Sequence, residues 1–504
     1  MDILISAISY ININAILAIL AAGLFGLFVG AIPGLTATMA VALLVPFTFF
    51  MDPIPALALM ISVGASSIYA GDIPGALLRI PGTPASAAYV DDAYSLVKAG
   101  KVNRVLGLGL LSSVIGGVIG TIILSLAAPS LAKFALKFSS FEYMWLSLLG
   151  LSCATLIAGK FITKSLVTLL FGITLSTIGF DEFTGQARFT FGFVSLYEGI
   201  SFIPAMIGLF AISGAIEYYA NRYKFIDKSN SNNNFNQPKS LNLFSGLGKV
   251  LARRKISILR SSILGTLIGA LPGAGADIAA WISYAISKKS SKTPEQYGKG
   301  SEDAIIDSSS SNNASLAGSW IPSLVFGIPG DSAAAIIIGV LYMKDMQPGP
   351  SLFLFQPDKL YAVFILFLIA NIALIPLALI VVNFLKKIIQ INKDILYPII
   401  IIFSIIGSFA INNSVEAIIV MGLMGVIGYF LQKNAYPISP IILGMILGPM
   451  LERNLLASLT KADGNLIAFI ERPVSMLLAI LFLIVVILQI YGIIKNFKDK
   501  HSNE

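Results

Sequence analysis

The sequence predicts an all-α polytopic membrane protein made of two inverted repeats with broken helices and re-entrant hairpins, in roughly 12 membrane segments. Three observations carry this expectation. Of the 504 residues, 56% are hydrophobic and 12% charged, with a mean hydropathy of +0.85, whereas soluble domains carry about 25% charged residues. Apolar runs recur along the whole chain at lengths near the ~20 residues that cross a bilayer. Several of those runs break at a Pro-Gly pair, and the breaks recur in the same order in both halves. A broken backbone leaves N–H and C=O groups unpaired, and at membrane depth that is tolerated only inside protein or against a polar cavity.

In chain order, the first apolar run, residues 12–30, has no Lys or Arg before it, since the first basic residue is Arg79. It reads as a retained helix and not as a cleaved signal. Runs follow at 35–51, 55–78, 105–128, 143–159, 163–179 and 196–219, which gives a first repeat over 1–220. Residues 221–258 form a basic linker, rich in Lys and Arg, with the polar core Ser229 to Asn234, and read as flexible and cytoplasmic. A second repeat with a C-terminal helix spans 259–504, with runs at 260–287, 316–343, 360–383, 395–411, 414–431, 438–450 and 473–493.

The repeat is visible in the motifs. Val29-Gly30-Ala31-Ile32-Pro33-Gly34 is matched by Ile268-Gly269-Ala270-Leu271-Pro272-Gly273, and Ile80-Pro81-Gly82 by Ile328-Pro329-Gly330. Proline removes a helix donor and glycine permits close backbone approach, so Pro33, Gly34, Pro272 and Gly273 are candidates for cavity-lining breaks; a kink at a tight helix crossing is the plainer reading. The second pair stands among hydroxyls and one acid: Gly82, Thr83 and Ser86 in the first half, Gly330, Asp331 and Ser332 in the second. A helix that restarts after a break offers free N–H groups to an anion, whereas Ser or Thr bonding its own backbone is the plainer alternative. Asn312 and Asn313, after four consecutive serines, are candidate substrate or sodium ligands or else helix caps, and Asp331 joins them as a candidate sodium ligand or, more plainly, as the cap of the helix that restarts after Pro329-Gly330. Asp72 and Asp277 are further acids within apolar runs, while Asp91, Asp92 and Lys98 are read as a solvated face.

Other classes are excluded by composition and motif. The one cysteine, Cys153, makes no intrachain disulfide, and the one histidine, His501, lies in a polar tail. No Walker P-loop is present, and the net charge of +8 is accounted for by basic cytoplasmic loops without nucleic-acid binding. The chain is expected not to be an enzyme and to carry no cofactor.

Long stretches in fixed order resemble the large membrane subunit of the tripartite tricarboxylate transporters: GLFVGAIPGL (26–35), IPGTPASAAYVDDAYSLVKAGK (80–101), GALPGAGADIAAWISY (269–284), PEQYGKGSEDA (294–304), NNASLAGSWIPSLVFGIPG (312–330), QPGP (347–350) and LGMILGPMLERNL (443–455). The resemblance implies a multi-pass permease of a bacterial inner membrane that imports carboxylates on an ion gradient, usually sodium or protons, together with a small four-helix membrane subunit and a periplasmic solute-binding protein; the amides, hydroxyls and freed carbonyls at the breaks, with no histidine among them, point to sodium. A non-transporting scaffold or sensor, or an anion channel, is the alternative. The sequence departs from the family pattern at Asp72, Arg79, Ala93, Ser309 and Asp331; Arg79 is expected to balance Asp331 across the cavity.

Placing the linker 221–258 and the basic C-terminal tail inside puts the first motif block on the cytoplasmic side, the second outside, and the N-terminus outside. A topology reporter fused before Ile11 is therefore expected to read out as extracytoplasmic; a cytoplasmic signal from that fusion rejects the assignment.

Overall fold

The computed structural model describes residues 2–32, 35–156, 162–181, 185–220, 243–272, 275–389, 393–412 and 414–501. Among them, nearly all regular structure is helical; a two-residue antiparallel pair, Gly179–Phe180 with Ala187–Arg188, is the exception. Eight helices are long and apolar enough to cross a membrane, and Ala37–Phe49, Ile162–Ser176 and Ser332–Met343 are apolar but shorter. At 1.5 Å per residue a 12- or 13-residue helix reaches about 20 Å, two thirds of a hydrocarbon core. These short helices are the broken ones.

The first half opens with α1 (Asp2–Ser9) and α2 (Ile13–Gly30), capped by Asn12. Next come α3 (Ala37–Phe49), capped by Thr36, and α4 (Pro53–Ala70), which runs through Gly71 into α5 (Asp72–Leu78). A turn leads to α6 (Val90–Lys98), the 34-residue α7 (Val102–Ala135), α8 (Ser140–Leu156), α9 (Ile162–Ser176) and α10 (Phe202–Ala220), which contains a π-helical turn at Gly208–Ile212. The linker residues 221–242 lie outside the described residues. Its end differs from the flexible segment expected: α11 (Leu247–Arg253) buries Leu247 and Leu251 against α7, because its leucines repeat at helical spacing.

The second half repeats the order. It comprises α12 (Lys255–Gly269), α13 (Gly275–Ser290), α14 (Glu302–Phe326), α15 (Ser332–Met343), the short α16 (Pro350–Phe355) and the 33-residue α17 (Pro357–Ile389). Then follow α18 (Lys393–Asn412), α19 (Val415–Lys433), α20 (Ser439–Ala462), α21 (Ala468–Glu471) and α22 (Pro473–His501). Packing repeats with the order: α2 lies along α4 as α12 lies along α14, and α3 packs on α4 as α13 packs on α14. The halves interlock, since α14 packs along α7, α9 along α20, and α19 along α10.

One element departs from the hydropathy reading. The polar stretch 302–315 lies outside every predicted span, yet every residue of α14 from Ala304 to Val325 is buried. Several of its hydroxyls bond carbonyls, as Ser310 to Asp307 O (3.1 Å) and Ser311 to Ala279 O (3.0 Å), which pairs part of its polar surface without water. Glycines on both flanks admit its backbone. A Cβ on Gly116 of α7 would fall 2.0 Å from Ser310 O, and one on Gly265 of α12 would fall 2.2 Å from Ser311 O.

Gly116→Ala is expected to lower stability by about 1–3 kcal/mol through overpacking, seen as a fall in melting temperature. Gly248→Ala, where a Cβ meets nothing within 4 Å, serves as the neutral comparison. Equal melting of both variants contradicts the close-packing account.

Candidate functional site

The two Pro-Gly breaks are the same device built twice. α5 ends on Arg79 and α14 on Gly327, both left-handed at φ 58° and 69°. In each, the next N–H reaches back across the last turn, from Ile80 to Pro74 O (3.4 Å) and from Ile328 to Pro322 O (3.3 Å), which satisfies the carbonyls at a helix end. Two residues beyond stands Pro-Gly, and then a capping oxygen. Thr83 Oγ1 accepts from Ser86 N (3.1 Å), and Asp331 Oδ1 accepts from Ala334 N (2.7 Å). The glycines serve packing. A Cβ on Gly82 would stand 2.6 Å from Gly71 O, and one on Gly330 the same distance from Gly269 O.

Both breaks open on one cavity of about 230 Å³. Its wall is made from the first turns of four helices: Ala37 and Thr38 of α3, Gly275 to Asp277 of α13, Ser332 and Ala333 of α15, and Ser439 and Pro440 of α20. Thr83, Ser165, Asn312 and Asp331 complete its polar lining. The charged side chains on this wall are both acids, Asp277 and Asp331, set against the positive ends of the four helices. The two acids are fixed differently. Asp331 holds its helix cap through Oδ1, whereas Asp277 is reached by Ala85 N (3.1 Å); both line the cavity.

Of the residues predicted from sequence, Thr83, Asn312, Asp331 and Ser332 come together on the wall. Gly82, Gly330 and Ser86 stand behind it and shape the turns, Ser86 through reciprocal bonds with Thr83. Pro272 lies toward α8, near Gly150, and Pro33, Gly34 and Gly273 lie outside the described residues. Asn313 is on another face of α14, one residue and about 100° from Asn312, and donates to Ser113 O (2.9 Å) and Asn371 Oδ1 (2.7 Å). It is thereby separated from the Asn312–Asp331 pairing expected for sodium. Neither asparagine caps a helix, since both lie in the middle of α14.

Two sequence readings are corrected. Arg79 does not face Asp331: it is exposed and pairs with Asp91 at 2.8 Å, because its left-handed position turns it off the end of α5. Asp92 is fully buried. Its Oδ1 accepts from the backbone N–H groups of Gly298 (2.8 Å), Gly300 (3.0 Å) and Ser301 (2.8 Å), and its Oδ2 from Tyr284 Oη (3.1 Å). The acidic turn looked solvated because the loop that covers it lies some 200 residues away. Sequence reasoning also gave no weight to Thr38 or Ser439; Asp277 had the available signal, an acid just after a Pro-Gly break. Asp72 and Ser309, both departures from the family pattern, prove to be neighbours at 3.3 Å.

A multi-pass helical membrane protein with a polar cavity between two broken-helix repeats is the class that this fold and site define. The chain belongs to the tripartite tricarboxylate transporter TctA family, whose model matches residues 16–443. It is 32% identical over 478 residues to an uncharacterized 52.8 kDa protein in the TAR-I ttuC' 3' region of Agrobacterium vitis, covering 95% of this chain and 93% of that protein. It is 32% identical over 236 residues to an uncharacterized protein in the TAR-II ttuC' 3' region of the same organism, covering 47% of this chain and 98% of that protein. No solved structure matches.

Asp92→Ala strips four donors of a buried acceptor and is expected to destabilise the protein by at least about 2 kcal/mol, with proteolysis exposing the 294–301 loop. Unchanged melting and protection of that loop would count against the role assigned to Asp92.

Proposed function

We propose that this chain is the large permease subunit of a tripartite secondary transporter that imports tricarboxylates or related organic acids across the bacterial inner membrane, with sodium as the coupling ion. The supporting observation is the convergence of four helix starts on one cavity between the repeats. Each start offers N–H donors and a positive dipole end to a carboxylate. Broken segments meeting at the repeat interface are where secondary transporters hold their solutes.

Sodium fits the oxygens that the same wall supplies. Asp277, Asp331 and the Asn312 side chain are the candidate ligands, and Asn312 Oδ1 is buried without a hydrogen-bond partner among the described residues. A cation there offsets the two acids and lets an anionic solute approach them. The repeats at 1–220 and 259–504, on either side of the linker, each supply part of this cavity. Ala37, Thr38, Thr83, Asp277, Ser332 and Ser439 also line a neighbouring cavity of about 500 Å³, which extends to Glu217, Tyr218 and Gln432. Those residues adjoin the basic linker and Lys433, so with the positive-inside orientation the site opens toward the cytoplasm. Solute capture outside is assigned to a periplasmic binding protein, and a small four-helix subunit completes the assembly.

The test begins with a thermal-shift screen of the cognate binding protein against organic acids, followed by uptake of the acid that stabilises it into proteoliposomes holding both membrane subunits. Expected is uptake that needs the binding protein and an inward sodium gradient. Asp331→Asn, which retains a capping side chain at a cost of at most about 1 kcal/mol, should fold and show a weakened sodium response. Uptake by this chain alone rejects the tripartite assignment, and uptake indifferent to sodium rejects the coupling ion.

A further inference from the structure

Outside the cavity, the acids around the junction of the two halves are compensated, with one exception. Asp91 pairs with Arg79 at 2.8 Å, Asp303 with Arg254 at 2.8 Å and Asp307 with Arg260 at 2.9 Å. Glu302 receives Arg104 Nη2 at 2.9 Å, and Asp92 receives three backbone N–H groups. Asp72, the first residue of α5, has neither kind of partner. Its Oδ1 accepts from Tyr89 Oη, and its Oδ2 lies 3.3 Å from Ser309 Oγ, which is 3.4 Å from Tyr89 Oη.

Among the described residues, no cation pairs with Asp72. Tyr89 and Ser309 are buried at 2% and 1% exposure. From α4, Tyr69 sends its hydroxyl to Leu106 O (3.3 Å). From α7, the facing residue is Gly109, whose added Cβ would stand 4.0 Å from Asp72 Oδ2 and 3.9 Å from Ser309 Oγ. On neighbouring elements, Arg79, Arg104, Arg254 and Arg260 are held by their own acids, and Lys98 of α6 is exposed and lies over the Tyr94 ring, 5.5 Å from its centre. An ionised carboxylate at membrane depth without a cation is costly, and such residues in membrane proteins mark ion or proton sites.

We propose that Asp72 is an ion site separate from the cavity and that the ion it binds is a proton. Three oxygens, from Asp72, Tyr89 and Ser309, already stand in hydrogen-bond contact with one another, and Asp72 lines neither the central cavity nor its neighbour. A proton settles the charge without displacing any of them, whereas a metal ion would have to part them. On binding, the O–H bond forms at a carboxylate oxygen and that oxygen then donates to a neighbouring hydroxyl; on release the proton leaves to water and the carboxylate again accepts from both.

The site is joined to the cavity and spans both halves. Tyr89 is also bonded by the side chain of Asn312, which lines the cavity. Asp72 and Tyr89 belong to the first half, and Ser309 and Asn312 to α14 of the second. A change at the cavity that moves Asn312 is passed through Tyr89 to Asp72 and so bears on proton release. That part in transport rests on the transporter reading; proton binding does not.

The proton itself is therefore the probe. The full-length chain in lipid nanodiscs is titrated with acid at constant sodium while the infrared absorption of protonated carboxyls is followed, for the wild type and for Asp72→Asn. Expected is a titrating band that the variant lacks, amounting to one carboxyl, and that sodium at fixed pH leaves in place. Ser309→Ala, which removes one partner, should displace its midpoint by about one pH unit. Identical titrations of wild type and Asp72→Asn overturn the proposal, and removal of the band by sodium at fixed pH shows a metal-cation site instead. Should Asp72→Asn fail to fold, the comparison falls to Ser309→Ala and Tyr89→Phe, and an unmoved midpoint in both overturns it equally. None of these readouts needs uptake, so failure of the transport assay leaves them independent.

Discussion

The backbone of α14 lies almost in contact with the backbones of α7 and α12, and much else in the structure depends on that approach. A polar helix buried along its length gains little from transfer out of water, so its place is secured by dense packing and by the hydrogen bonds that some of its polar groups make to neighbouring helices. Glycine at the crossings is what allows the distance: Gly116 and Gly120 of α7 face Ser310 and Ala314, and Gly265 and Gly269 of α12 face Ser311 and Ser315. In a membrane, where the solvent is as apolar as the side chains, such small-residue contacts take over the role that hydrophobic burial has in water.

With α14 fixed, the positions of the functional groups follow. Its faces present Asn312 to the cavity, Asn313 to α7 and α17, and Ser309 to Asp72. Its end sets the second break, and Gly330 returns against Gly269 O, which seats Asp331 and the start of α15 on the cavity wall. The first break is seated in the same way by Gly82 against Gly71 O. α13 then stitches the halves together, with Trp281 donating to Pro84 O (3.1 Å), Asp277 accepting from Ala85 N and Tyr284 donating to Asp92. A cavity built this way combines positive helix ends with acidic side chains, an arrangement suited to holding an anion and a cation side by side.

Much of this was legible in the residues. The apolar runs, the repeated Pro-Gly order and the capping chemistry after each break follow from local rules: proline cannot continue a helix, an αL residue closes one, and an oxygen-bearing side chain starts the next. Asp331 as a helix cap is the plainest case, because a cap involves only residues three apart. Thr83, Asp331 and Ser332 drew notice because each sits at a break in the periodic pattern, and Asn312 because it follows four consecutive serines; all four line the cavity.

What the sequence by itself determined, then, is what residues near one another in the chain decide: membrane class, helix breaks, caps and the kinship of the two halves. Tertiary structure alone decided which polar groups are buried and what meets them. The stretch through Ser308–Ser311 lies outside every span read from hydropathy, and glycines of α7, some 200 residues upstream, and of α12 admit it to the core. Asp92 reads as solvated until the loop at Gly298–Ser301 closes over it, and Arg79 reads as a cavity cation until Asp91 takes it. In each case the partner is set by the packing of distant segments, and the free energy of a charge or hydroxyl at membrane depth depends on that partner and not on its neighbours in the chain.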